Sequence, residues 1–389
     1  MKRKILFITP SLRQGGVEQS LITALKLLDP DKYEISLFLY VEMLDLLPDV
    51  PEYVNVIVEV DKTKYFRKPY CIYMLARYNV LKFLKRNRKA EEVQKRMYEY
   101  IHRKKVTYPY RKVFKNRFFD VIVSYSLHIG TEMGLYIPAK KRYVFMHSSD
   151  PNYHKEIIMK DLPQYDRIVA VSPSIAAIYE DNYPALKSKI TFINNYIDAV
   201  RINELSLKND QNAKNDGVFT ITTCGRISHE KGFDLAVEAA EFLKQNDVPF
   251  RWLFIGDGDD RTKIEDMIVN KGLQDCIEIT GFQENPYSFM AQGDIYVQTS
   301  YEEAQPLVLL EAMVLGKPIV STKTVGGQYI LDNGNKGVLT GFSGKEIGEA
   351  VLNLIQNPAL RKQYGNLYTL EDNLREKEIY IQKWNQLLE

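Results

Sequence analysis

The sequence predicts an α/β protein with two parallel sheets, each covered by helices on both faces. Three observations carry that expectation. Short apolar runs alternate with stretches of helical period along almost the whole chain. A polar stretch rich in Asn, Asp and Lys, Arg201–Gly217, interrupts the pattern near its middle and reads as a domain linker. The 389 residues are enough for two domains of ordinary size, each with its own core.

The elements read in order as follows. Ile5–Ile8 is a first buried strand, because its apolar run stops at Thr9-Pro10, too soon for a signal peptide. A helix follows over Val17–Leu28. Strand-like runs continue at Ile35–Tyr40, Val54–Val58, Val121–Ser124, Tyr143–Met146, Ile168–Val171 and Ile190–Ile193. The second half repeats the pattern with strands at Phe219–Thr223, Trp252–Ile255, Ile277–Thr280, Ile295–Gln298 and Pro318–Ser321. Helices are expected at Asp234–Lys244, Asp260–Asn270, Pro306–Leu315, Lys345–Ile355 and Leu370–Leu388. We therefore expect residues 1–198 and 199–369 to form two Rossmann-like domains. Residues 370–389 form a charged amphipathic helix free to pack back on the first. Ligands of such sheets sit at the carboxyl ends of the strands, and two such edges can face each other across a cleft.

Composition narrows the function classes. The chain is 45% hydrophobic and 26% charged, as soluble globular proteins are, and has no run of 18 uncharged apolar residues for a spanning helix. Three widely spaced cysteines suit a reducing cytoplasm and show no metal-ligand spacing. The net charge of +2 hides a block, residues 62–117, with 19 Lys/Arg against 3 Asp/Glu, interleaved with Tyr and Phe. Such a block suits an anionic membrane surface, or nucleic acid, or is simply a solvated face.

Four segments can carry chemistry. Gly15-Gly16-Val17-Glu18, after the first strand, either lets a ligand approach backbone N–H groups or makes a tight turn. Gly225-Arg226-Ile227-Ser228-His229-Glu230-Lys231-Gly232 places a rigid guanidinium and a mobile ammonium on one strand–loop–helix edge, a pairing suited to a diphosphate. Gly256-Asp257-Gly258 permits close approach of a nucleotide, and an acidic turn capping the next helix explains it equally well. The fourth runs from Ser300 to Met313. There Pro306 suits the first helical position, Leu307 and Val308 offer free N–H groups to an anion, and Glu311 interrupts an apolar helix. Its carboxylate needs partners such as ribose hydroxyls, or lies on the helix's one wet face.

In this order, Gly-Gly-Val-Glu, Gly-Arg-x-x-x-Glu-Lys-Gly, Gly-Asp-Gly and Glu-x7-Glu resemble the motifs of family 4 retaining glycosyltransferases. The likeness covers nearly the whole chain outside residues 62–117. It implies the GT-B fold, two Rossmann-like domains with the acceptor mostly on the first and the nucleotide-sugar donor on the second. Residue by residue, it implies that Arg226 and Lys231 neutralise the donor diphosphate and that Leu307 and Val308 donate backbone N–H groups to it. Glu303 would meet the transferred sugar, Glu311 the ribose, and Phe282 the nucleobase. Gly16 would approach the diphosphate from the first domain, and His147 would lie near the sugar, unless it is a strand-end histidine bonded to a neighbouring carbonyl. Two departures stand out: Ala304-Gln305 where relatives carry Gly-Phe, and Tyr196 where Gly is common.

With no Asp-x-Asp-type pair at a plausible strand end neither a metal nor a cofactor is expected, and the resemblance thus implies a retaining hexosyltransferase. It would move a sugar, from UDP by family prior, to a glycan or polyprenyl-linked acceptor in surface polysaccharide synthesis. Residues 62–117 would rest on the inner face of the cell membrane, and no nucleic acid partner is expected. The alternatives are a nucleotide-sugar 2-epimerase of related fold and a non-catalytic glycan- or RNA-binding protein.

Overall fold

A computed structural model of the chain describes residues 1–41, 43–58, 113–208 and 218–389, and the single positions 73, 76 and 80. The membrane reading of residues 62–117 therefore falls almost wholly outside the described residues.

Seven parallel strands form the first sheet, in the order β3-β2-β1-β4-β5-β6-β7. They are β1 (Arg3–Thr9), β2 (Tyr33–Leu39), β3 (Asn55–Val58), β4 (Phe119–Ser124), β5 (Ala139–Met146), β6 (Arg167–Ala170) and β7 (Ile190–Phe192). Six more form the second, in the order β10-β9-β8-β11-β12-β13. These are β8 (Phe219–Cys224), β9 (Phe250–Ile255), β10 (Ile277–Gly281), β11 (Ile295–Gln298), β12 (Ile319–Thr322) and β13 (Val338–Thr340). The central strands are apolar on both faces, as sheets covered by helices on both sides require: Ile5, Leu6, Phe7 and Ile8 of β1 are all buried.

The strand order reverses between β1 and β4 in one sheet and between β8 and β11 in the other. Loops leaving neighbouring strands at such a point diverge and open a crevice beyond their carboxyl ends. The four loops concerned carry Gly15-Gly16, His128, Arg226–Lys231 and Glu303. The fold thus gathers distant motifs because of its topology.

Three expectations need correction. Arg201–Gly217 is not a linker throughout, because Arg201 to Ser206 belong to the helix Ala199–Ser206. Asp198 caps that helix by accepting a hydrogen bond from Arg201 N at 3.1 Å, and buried Ala199 and Ile202 anchor it beneath its polar face. Pro306 is not the first helical residue. With ψ at 105° it is the N-cap, and the helix runs over Leu307–Val314. β13 escaped the sequence reading because three residues show no period.

The last helix, Leu370–Leu388, opens with a capping box between Thr369 and Asp372. Its buried face leaves the second sheet and joins the core of the first. Trp384 stacks on Phe145 with ring centroids 5.1 Å apart, and Tyr380 and Leu388 share the same cluster. Asn373, buried at the start of this helix, accepts from Tyr196 Oη at 2.9 Å and donates to the Ile197 carbonyl at 2.8 Å. Tyr196 thus keeps an ordinary backbone and spends its side chain on fastening the helix to the crossover.

Candidate active site

A cavity of about 960 Å³ opens between the carboxyl edges of the two sheets. Gly15 lines it from the first sheet; Gly225, Arg226, Gly256 and Phe282 line it from the second. The first turn of Leu307–Val314 contributes Leu307 and Val308, and the next turn Glu311. The free N–H groups of this helix start therefore lie on the cavity beside a guanidinium, an arrangement suited to an anion. Gly16 is not in the lining, but it faces the same helix: a side chain there would meet Leu307 Cδ1 at 3.9 Å.

Close backbone approach shapes the floor. A Cβ on Gly256 would run into the Gly225 carbonyl oxygen, so the loops after β8 and β9 can meet only through glycine. Gly232 has φ at +61°, and a side chain there would strike the Thr299 carbonyl. This seats the Lys231 loop directly on the loop after β11.

Lys231 and Glu303 lie outside the lining and are paired with each other at 2.6 Å. Glu303 Oε1 also accepts from Ser300 Oγ at 2.9 Å and from Gln298 Nε2 at 3.0 Å. Gln298 in turn accepts from Tyr296 Oη at 2.9 Å. Gln298, Ser300 and Tyr296 are buried, so this chain fixes the carboxylate from below. Sequence reading missed Gln298 and Ser300; the available signal was a polar residue ending the buried strand β11.

Glu311 has its carboxylate enclosed while one edge of the residue stays on the cavity. Burial pushes its pKa up to about 7, and the Tyr287 hydroxyl, donating at 3.2 Å, opposes that rise. Tyr287, likewise absent from the sequence reading, also lines the cavity. Phe282 is 55% exposed, a ring free to take a flat partner.

His147 stands outside the lining. Its Nε2 donates to the Tyr125 carbonyl at 2.8 Å, and burial depresses its pKa to about 4, which keeps the imidazole neutral at pH 7. Pro306 is buried and turned from the cavity toward Gly326. The two departures near Glu303 face the first sheet: Ala304 joins the apolar cluster of Val171 and Ile175, and Gln305 Oε1 accepts from Asn195 N at 2.9 Å. Ser149 Oγ adds a second bridge to Glu302 at 2.9 Å.

Residues 206–367, which contain β8 to β13 and every second-sheet residue above, match the family described as Glycosyl transferases group 1. The match covers 162 of the 389 residues. Among curated glycosyl transferases, the alpha-D-kanosaminyltransferase of Streptomyces kanamyceticus is 32% identical over 142 residues, 36% of this chain and 37% of that one. The lipopolysaccharide core biosynthesis glycosyltransferase LpsD of Rhizobium meliloti is 30% identical over 165 residues, 41% of this chain and 47% of its own. The matched stretch spans less than half the length of either relative. Solved structures share the whole architecture. HepE of Anabaena, solved with UDP and glucose, superposes with a TM-score of 0.71 at 18% identity, covering 99% of both chains. TarM gives 0.73 at 14% identity, covering 100% of this chain and 99% of that one. The fold is GT-B, two Rossmann-like units facing across a cleft.

Among the described residues no helix is long and apolar enough to cross a membrane.

Proposed function

We propose that this chain is a retaining glycosyltransferase. It moves a sugar from a nucleotide-diphosphate donor, with UDP the first nucleotide to test, to a glycan or lipid-linked acceptor in surface polysaccharide synthesis. The observation that carries the proposal is the meeting of Arg226 with the free N–H groups of Leu307 and Val308 on one cavity, beside Glu311. The activities of the two relatives support the reaction class, and the UDP held by HepE supports the choice of nucleotide.

The chemistry follows from where charge moves. As the bond between the anomeric carbon and the diphosphate breaks, negative charge builds on the leaving oxygens. Arg226, the helix N–H groups and Lys231 stabilise it, taking the place a metal ion fills elsewhere. Lys231 pairs with Glu303 at 2.6 Å. The arriving diphosphate competes for that ammonium and frees Glu303 for the hydroxyls of the transferred sugar. Glu311 accepts from the ribose, and Phe282 stacks on the base. His147, with Nε2 committed to the Tyr125 carbonyl, presents Nδ1 as an acceptor. With no side-chain nucleophile assigned, the donor phosphate takes the acceptor's proton and configuration is retained. The basic block 62–117 rests on the anionic inner membrane surface, bringing a lipid-linked acceptor to the first sheet.

The test is release of nucleoside diphosphate from a panel of nucleotide sugars, with and without crude glycolipid acceptor. Acceptor-dependent release is expected, and Lys231→Ala should lower it by about two orders of magnitude. Release at the same rate without acceptor, or near wild-type turnover in the purified variant, would overturn the reading.

A further inference from the structure

Two helix starts meet at the cleft, and they offer an anion different reception. The helix Leu307–Val314 has no acidic residue in its first turn and no side-chain cap, so its first N–H groups stay free. The helix Gly16–Leu27, which follows β1, is capped by Gly15 and so has no capping side chain either, but its first turn carries Glu18. Glu18 is the one charged member of Gly15-Gly16-Val17-Glu18, and the proposed chemistry gives it no part.

The two starts lie against each other. A Cβ on Gly16 would meet Leu307 Cδ1 at 3.9 Å across the cleft. A Cβ on Gly15 would stand 2.6 Å from Glu18 Oε2, so the half-buried Glu18 side chain turns back over Gly15 to the start of its own helix. There the helix dipole favours a negative group. Gly15 in turn lines the cavity together with Leu307, Val308 and Arg226. Burial raises the pKa of Glu18, while a hydrogen bond from its own backbone N–H and then the cations Arg13 and Arg226 pull it the other way.

A carboxylate and a phosphate ask for the same partners, helix N–H groups and guanidinium forks. A diphosphate resting on the N–H groups of Leu307 and Val308 comes up against Gly15 and Gly16, and there it meets a like charge. We propose that Glu18 is an internal competitor of the donor diphosphate, holding the first-sheet side of its site and giving way when a nucleotide binds. The competition is graded by charge. When the bond to the anomeric carbon breaks, its electron pair stays on the diphosphate, so the released nucleoside diphosphate is more negative than the donor was. Glu18 therefore opposes the product more than the donor and speeds its departure. The inference rests on the donor reading for the identity of the anion.

The experiment measures UDP and uridine binding to the full chain in wild type, Glu18→Gln and Glu18→Ala. Glu18→Gln removes the charge and keeps a carbonyl oxygen for the helix start. It should bind UDP at least about tenfold tighter than wild type, with slower dissociation in stopped flow, and bind uridine unchanged. Glu18→Ala should tighten UDP binding as well while melting lower, and it decides the matter if the glutamine variant does not fold. A residue that only caps its helix would leave UDP affinity unchanged or lower it. That result, with uridine binding intact, overturns the proposal. So does a raised acceptor KM at unchanged UDP affinity, which would make Glu18 a ligand of the acceptor. If wild type binds no nucleoside diphosphate, the donor reading fails by itself. Inorganic pyrophosphate then replaces UDP, and a Glu18→Gln protein that gains no affinity for it overturns the competition.

Discussion

Glu311 breaks the apolar run of Leu307–Val314 and bears two opposite consequences. Its pKa of about 7 means that the enclosed carboxyl holds its proton into the neutral range. Because the folded-state pKa is raised, the group withdraws stability as pH climbs from the ordinary carboxyl range to about 7, and the loss is complete above that. Glu311→Gln should therefore melt several degrees above wild type at pH 8 and close to it at pH 4, read by calorimetric melting. In the proposed function the same carboxylate accepts from the ribose, and only its charged form accepts without a proton of its own. Between pH 8 and pH 6, wild-type UDP affinity should fall more than that of the variant, whose own affinity at pH 8 is lower by about tenfold or more. Parallel pH profiles would contradict the ribose role. Gln298 offers a complementary case, since it is not among the residues lining the cavity yet donates to Glu303 at 3.0 Å. Gln298→Met should lower kcat by about tenfold or more and leave UDP binding unchanged, while Gln298→Asn restores part of the rate. A change confined to thermal stability would reduce Gln298 to a packing residue.

Among the elements, the loop Ser228–Gly232 depends most on one backbone conformation. Gly232→Ala combines a left-handed φ with a clash against the Thr299 carbonyl, so a loss of about 2 kcal/mol or more is expected in urea unfolding. Turnover should fall further than stability, because this glycine seats Lys231. This scale also shows what the sequence made legible. Strands such as Ile5–Ile8 and Ile295–Gln298 were visible because burial on both faces demands continuous apolar runs, and Leu370–Leu388 was visible through its long period. The helices Ile129–Tyr136 and Val325–Ile330 were not, being short, glycine-containing and set by the loops they close. Motif glycines and charges could be read as a group, because each sits where a strand ends. Their pairing could not: that Lys231 rests on Glu303 depends on side chains meeting from separate loops, and that Gln298 lies beneath it depends on how the loop after β11 folds back on its own strand.

Across the whole molecule, the last helix ties the first sheet to the segment Tyr196–Ala199 that leads from it toward the second. Trp384 is buried against Phe7 and Phe145, and Trp384→Ala should cost about 3–5 kcal/mol. Tyr196→Phe removes one hydrogen bond from Asn373 and should cost about 1 kcal/mol, with the helix retained by circular dichroism. The bridges Gln305–Asn195 and Ser149–Glu302 join the loop after β11 to the first half of the chain. In the proposed function they make the sugar end of the site a product of both halves, whereas Arg226 and the helix start belong to the second alone.

The central claim is that this second sheet holds a nucleotide by its diphosphate. Equilibrium binding of UDP, GDP, TDP and ADP, each against its nucleoside, tests it on wild type and Arg226→Ala. One diphosphate should bind about 100-fold tighter than its nucleoside, and Arg226→Ala should remove most of that difference. If no diphosphate outbinds its nucleoside, or if the variant keeps the full difference, the account is wrong.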